Sequence, residues 1–318
     1  MALSHYDRHA PLIEGAVSVP GFPLEVLVVA QSEAAGKHGN HRHERMLNNE
    51  EFDIAEVSLS SYLMAKDQGA PFTAIPVFPR RLFSMSQMWV HRGSGIAAPK
   101  DLSGGRVGLN TFQTTLSVLA KADLGRAYQV AWRDITWVTA RDETRPFRQD
   151  ASVKLERLSP GESLVEAIMA GRLDAIMIPH PSHAFLQNSQ LVRLLKDPIA
   201  DEVRYFKKFG YFPIMHIVAF RDEVLKNSPG LAQAVFEAFQ RSSQIASERW
   251  EDPNWSVLAW GRQAIEKQQK VLGDDIWPNG LEKNMANLTW FIEQSHDQGL
   301  ISRVYRPEEL FHPSVLEV

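Results

Sequence analysis

The stretch EEFDIAEVSLSSYLMAK, Glu50 to Lys66, ends a short apolar run in three hydroxyls, Ser58, Ser60 and Ser61, which open a helical pattern. Hydroxyls at such a place can cap the free amides of a helix's first turn, or donate to an anionic ligand held at the positive end of the helix dipole. The arrangement recurs. RVGLN (Arg106 to Asn110) runs into TFQTTLSVLAKADLG, with Thr111, Thr114 and Thr115 at its start, and LDAIMI (Leu173 to Ile178) runs into Pro179, His180, Pro181 and Ser182. Arg80 and Arg81 follow the apolar VFP and offer planar guanidinium groups that match a carboxylate. His180 and His216 are the side chains here that titrate near neutral pH and can move a proton. Together these residues describe a site for a small anion with a proton carrier beside it.

Metal chemistry is a weaker reading. His180 and His183 are three residues apart, with no third ligand close in sequence. HGNHRHERM contains His38, His41 and His43, but the segment is polar, holds Gly36 and Gly39, and precedes a short helix. A solvated loop is expected there. Neither a metal nor an organic cofactor is expected.

The elements that position these residues follow from periodicity. Phe52, Ile54 and Val57 make a buried strand; Leu59, Tyr62 and Leu63 make the stripe of the next helix, which Gly69 and Pro71 end. Leu164, Ala167 and Ile168 make another helical stripe before the strand LDAIMI. Alternating strands and helices predict an α/β protein built on mainly parallel sheets flanked by helices. The repeated unit predicts two lobes. SQMWVH (Ser86 to His91) and PIMHIVAF (Pro213 to Phe220) are expected to pair as a hinge ribbon, so that residues 1–88 and 215–318 form lobe 1 and residues 89–214 form lobe 2. The last third, 215–318, is expected to be mostly helical, with a stripe of Leu281, Met285, Leu288 and Ile292 closed by Gly299. The hydroxyl-rich starts at Ser58–Ser61 and Thr111–Thr115 should then face each other across a cleft. Trp250, Trp255, Trp260 and Trp277 are expected to pack the core of the added helices.

The bulk properties narrow the function further. A formal net charge of −4 over 318 residues gives no reason to expect nucleic acid or an anionic membrane surface as partner. The absence of cysteine excludes disulfides and thiolate metal sites. No apolar run reaches the length of a membrane span, and MALSHYDRHAPL lacks a basic stretch followed by an apolar one, so a cytoplasmic location is expected.

Seven pieces of the chain carry a resemblance to a known family. They are YDRHAPLIEGAV near the N-terminus, EFDIAEVSLSSYLMA, FTAIPVFPRRLF, GIAAPKDLSGGRVGL, LDAIMIPHP, YFPIMHIVAFRDEVL, and DDIWPNGLEKNMANLTWFIEQSHDQGL with the PEELF that follows it. The sequence resembles the 4,5-dihydroxyphthalate decarboxylase family, itself similar in fold to type 2 periplasmic binding proteins and to the thiamine-precursor group. The resemblance implies a two-lobed α/β fold and decarboxylation of a hydroxylated aromatic dicarboxylate without an organic cofactor. It puts an arginine at Arg81, whereas Ser84 and Met85 stand where the family usually has arginine and histidine, and His180 stands where arginine is frequent.

The implied chemistry needs an acid near neutral pKa, an anchor for the spectator carboxylate, and exclusion of water. The residues expected to serve are His180 and His216 for the proton, and Ser58, Ser60, Ser61, Arg80, Arg81, Thr111, Thr114, Thr115 and Ser182 for the substrate. The expected partner is a small aromatic carboxylate, with association into a homo-oligomer also open to the chain. The alternative function is a non-catalytic solute-binding or regulatory protein for the same class of ligand.

Overall fold

The computed structural model describes residues 1–29 and 41–317. His38 lies outside them. The chain divides into two units. The first comprises Met1–Arg81, Ile214–Thr289 and Tyr305–Val318, and the second Leu82–Pro213 and Trp290–Val304. The expected boundaries at 88 and 214 differ from this division, most of all in the C-terminal third, where residues 290–304 belong to the second unit.

Among the described residues the strands are β1 (Ala2–Leu3), β2 (Leu27–Val28), β3 (Ile54–Ser58), β4 (Phe72–Ile75), β5 (Met88–His91), β6 (Arg106–Leu109), β7 (Thr136–Thr139), β8 (Leu155–Arg157), β9 (Ala175–Met177), β10 (Leu191–Arg193) and β11 (His216–Arg221). The sheet of the first unit has the order β2-β1-β3-β11-β4, and that of the second β10-β5-β9-β6-β7-β8. β1 runs parallel to β2 and β3, while β11 is antiparallel to both β3 and β4. In the second unit β6 is parallel to β7 and β9, and β7 to β8, with β5 antiparallel to its two neighbours.

The expected hinge ribbon does not form. Ser86–His91 contributes β5, which pairs with β9 and β10, and Pro213–Phe220 contributes β11, which pairs with β3 and β4. The alternating pattern is the same for a ribbon and for a sheet strand, so periodicity could not separate them. Returning to the first unit late in the sequence, β11 inserts beside β3 without the crossover a parallel partner would require.

Local sequence explains the elements that bear the candidate residues. All five residues of β3 are buried, as suits a central strand covered on both faces. Ser58 caps the following helix, Leu59–Asp67, by accepting from the Ser61 amide at 3.4 Å. Beneath the sheet, Ile54, Val218 and Phe220 pack with Val235, Phe236 and Phe239 of the helix Leu231–Arg249. In the second unit Thr114 caps the helix Thr115–Tyr128, and Ser163 with Glu166 forms a reciprocal capping box for Leu164–Met169. A Cβ on Gly108 would lie 2.6 Å from Leu164 Cδ2 and 2.8 Å from Leu173 Cδ1, so glycine lets that helix approach β6.

Two of the four C-terminal tryptophans depart from expectation. Trp255 is 47% and Trp260 78% exposed, because they lie in the turns between Arg249 and Gly261 rather than on a packed helix face. Among the described residues no helix is long and apolar enough to cross a membrane.

Candidate active site

The first unit contains a buried polar cluster centred on Glu56. This residue sits in the middle of β3 with a side chain that is 0% exposed. A carboxylate there must be paired, since burying it alone would cost more than the fold can offset. Arg42 Nη2 lies 3.1 Å from Oε2, and the Ser4 amide donates to the same oxygen at 2.9 Å. His216 Nδ1 lies 2.5 Å from Oε1, and Tyr6 donates its hydroxyl to that oxygen at 3.4 Å. Arg42 is tied down further by bonds from Nε to the Glu56 carbonyl at 2.7 Å and from Nη1 to Ser4 Oγ at 2.8 Å and the Val29 carbonyl.

Sheet register places the second partner. His216 at the start of β11 is opposite Ser58 at the end of β3, and Val218 is opposite Glu56. The His216 ring meets the edge of the His43 ring with centroids 4.8 Å apart at 76°. His43, on the short helix Arg42–Leu47, accepts at Nδ1 from the Ser58 amide at 3.2 Å. Arg80 adjoins the group through its carbonyl, which accepts from the amides of Met215 at 2.8 Å and His216 at 3.2 Å.

The electrostatics follow from this packing. Burial pushes the Glu56 carboxyl up, but the Arg42 guanidinium and the His216 bond outweigh it and hold the group well below the usual carboxylate range. Burial pulls His216 down to about 4 against the opposing pull of Glu56. Burial also carries His43 well below its ordinary value, helped by His216 and Arg42, and takes His9 down to about 4. Near neutral pH the site therefore holds neutral imidazoles beside an ionised carboxylate and the arginines Arg42 and Arg80.

The other expected residues are distributed as follows. Ser58 and Ser60 are buried, and Ser61 is half-buried. Arg81 is 3% exposed; its Nη2 donates to the Pro278 carbonyl at 2.7 Å and to Asn284 Oδ1 at 2.6 Å, so it braces the 278–284 turn. In the second unit Thr111 and Thr115 are buried, and Thr114 Oγ1 bonds Ser117 Oγ at 2.7 Å. Ser182 caps the short helix His183–Leu186, and His180 and His183 are both exposed. Ser84 donates at 2.5 Å to Asp123, which also accepts from Tyr205 at 2.9 Å; burial pushes that carboxyl up to about 6 against both bonds.

Glu56, Arg42 and His43 are not among the residues that sequence reasoning selects. Glu56 interrupts the apolar run Phe52–Val57, and a charge in a strand covered on both faces is itself the signal of a built polar site. The polar composition around His43 predicts a solvated loop, but the structure places it on a helix against His216; His41 does remain at the surface, 3.9 Å from Glu44. Among the described residues no group of three or more histidines, cysteines and carboxylates is arranged to hold a metal ion.

No family model matches the sequence. Comparison with individual proteins does find relatives. The chain is 30% identical over 327 residues to a 4,5-dihydroxyphthalate decarboxylase of Comamonas testosteroni, covering 100% of this chain and 97% of that protein. It is 28% identical over 219 residues to a 4,5-dihydroxyphthalate decarboxylase of Pseudomonas putida, covering 66% of this chain and 82% of that protein. Among solved structures, the periplasmic aliphatic sulphonate binding protein SsuA from Escherichia coli matches with a TM-score of 0.56 at 14% identity, over 100% of this chain and 99% of that one. This likeness identifies the fold as that of type 2 periplasmic binding proteins.

Proposed function

The chain belongs to the 4,5-dihydroxyphthalate decarboxylase family, and on that premise we propose that it removes CO2 from a hydroxylated aromatic carboxylate at the Glu56–His216 cluster. The observation that carries the assignment of the site is His216, held through Nδ1 by Glu56 at 2.5 Å, so that a further proton on the ring would go to Nε2. Arg80 supplies positive charge beside it for a carboxylate of the substrate.

A histidine that is neutral at pH 7 is a better base for a phenol than an acid toward carbon. His216 Nε2 takes the proton of a ring hydroxyl placed ortho or para to the leaving carboxylate. The O–H bond breaks, and the electron pair flows to the ring carbon that carries the carboxylate. That carbon takes a proton from water, and the hydroxide left behind is neutralised by a proton from the solvent, the one proton that the reaction consumes. The C–C bond to the carboxylate then breaks, its electrons restore the aromatic ring, and CO2 departs. Imidazolium returns its proton to the phenolate oxygen, so the net change is one carboxylate plus one proton giving an aromatic C–H and CO2. Glu56 stabilises the transient imidazolium throughout.

The test is release of CO2 from a panel of hydroxybenzoates and hydroxyphthalates, run beside thermal-shift binding. The expected result is turnover of at least one member, with kcat at saturating ligand reduced by a factor of roughly 10²–10⁴ in His216→Asn. Binding without CO2 release from any member would assign the chain to the solute-binding class instead.

A further inference from the structure

We infer that His43 and His216 form a tautomer-locked pair, one fixed as hydrogen-bond donor and the other as acceptor, that reads the hydroxyl edge of the ligand's ring. The inference rests on the proposed site but concerns recognition, which does not require turnover.

Each tautomer is set by a partner whose role cannot reverse. The Ser58 backbone amide can only donate, and it points at His43 Nδ1 over 3.2 Å. Nδ1 therefore carries a lone pair, and the one proton of the neutral ring sits on Nε2. Glu56, held ionised by Arg42, can only accept, and it faces His216 Nδ1 at 2.5 Å. Here the proton sits on Nδ1 and the lone pair on Nε2. Neither Nε2 bonds another group among the described residues. The two ring centroids lie 4.8 Å apart in an edge-to-face contact, so a ring fixed as donor adjoins a ring fixed as acceptor.

A carboxylate edge does not suit this pair. Both its oxygens are acceptors, so one would satisfy His43 while the other met the lone pair of His216. A phenolic hydroxyl with an oxygen neighbour suits both members: the O–H donates to His216 and the adjacent oxygen accepts from His43. The pair thus orients an aromatic ring with its hydroxyls toward β3 and β11 and leaves the carboxylates to arginine. It also divides the proton work. His43 cannot take a second proton without giving up the Ser58 amide, whereas His216 can be protonated at Nε2 while Glu56 keeps its bond. The charged and titratable groups that bear on the pair are Glu56 on β3, Arg42 on the same helix as His43, Arg80 next to Arg81, which bridges Ile214 just before β11, and His9 with Tyr6 from the N-terminal segment. Their net effect, dominated by burial, keeps both rings neutral.

Two measurements test the pair in the full-length protein. Two-bond ¹H–¹⁵N correlation spectra of the imidazoles at pH 7.5 should show His43 protonated at Nε2 and His216 at Nδ1; the reverse assignment for either ring overturns the inference. Calorimetry with 4,5-dihydroxyphthalate and with phthalate should give about tenfold tighter binding of the hydroxylated compound. His216→Asn keeps an N–H toward Glu56 but removes the acceptor, and it should bring that ratio close to one. His43→Gln keeps a donor and should preserve it, while His43→Leu should lose it. A parent that does not discriminate, or discrimination unchanged in both His216→Asn and His43→Leu, overturns the inference. Failure to release CO2 leaves these readouts in place, so the two readings fail separately.

Discussion

Replacing Glu56 with glutamine tests the centre of the cluster with almost no change in shape. The substitution removes the negative charge that faces Arg42 Nη2 at 3.1 Å while both side chains stay 0% exposed. At that separation and an effective dielectric of ~20, the lost Coulomb attraction is about 5 kcal/mol. The bonds from Ser4 and His216 also lose a charged acceptor, and a bond of that kind contributes about 1.5–3 kcal/mol. Part of this is recovered because the desolvation cost of the Glu56 charge disappears. Arg42, however, remains buried and uncompensated, and removing one partner of a buried pair costs about 3–5 kcal/mol in net terms. The assay is native-state hydrogen exchange of the β3 and β11 amides, which reads the first unit directly and does not assume that both units unfold together. The expected loss of protection corresponds to about 3–5 kcal/mol, and adding Arg42→Met should restore at least ~2 kcal/mol of it. A single variant within ~0.5 kcal/mol of the parent, or a double variant no better than the single one, would refute the account of Glu56 as the charge that holds the cluster.

Titration should act with opposite sign on the two units. Burial raises Asp123 from 3.8 to about 6, so the folded state binds that proton more tightly. Stability of the second unit should fall by about 3 kcal/mol as pH rises between these values, and Asp123→Asn should flatten the slope. His216 and His9 are lowered from 6.5 to about 4, so the unfolded chain takes up protons that the folded one refuses. Acid should therefore destabilise the first unit as pH falls through that window, by up to about 3 kcal/mol for each ring, and His216→Asn should remove one share. A melting series from pH 4 to 7.5 checks both. Arg81→Ala should cost about 2–4 kcal/mol of stability through the lost Pro278 and Asn284 bonds, whereas Arg80→Ala should mainly raise the calorimetric Kd for 4,5-dihydroxyphthalate. Equal effects on stability would refute that division of labour.

Much of the fold was legible because it depends on local chemistry. Ser58, Thr114 and Ser182 cap helices as their positions beside apolar stripes require. The strands around Ile54, Val107 and Ile176 are short, mainly apolar runs, the first interrupted by Glu56, and the alternation of strand and helix determines the α/β class by itself. The family was legible too, because the matching segments span nearly the whole chain. Arg81 shows what local reading leaves out: a guanidinium at a strand end looks like an anion anchor, and its bonds to Pro278 and Asn284, 197 and 203 residues away in sequence, appear only in the structure.

Sequence alone thus determined the fold class and the helix starts, since each is written in spacing a few residues long, and the family, through matching segments along nearly the whole chain. The site was decided by tertiary structure. Ser4, Arg42, Glu56 and His216 are separated by up to 212 positions and meet because β11 inserts antiparallel between β3 and β4. Strand periodicity cannot say which strand will lie beside which. It is that pairing which sets His216 opposite Ser58, turns a lone buried carboxylate into a partner for arginine and histidine, and fixes where the proton sits on each ring.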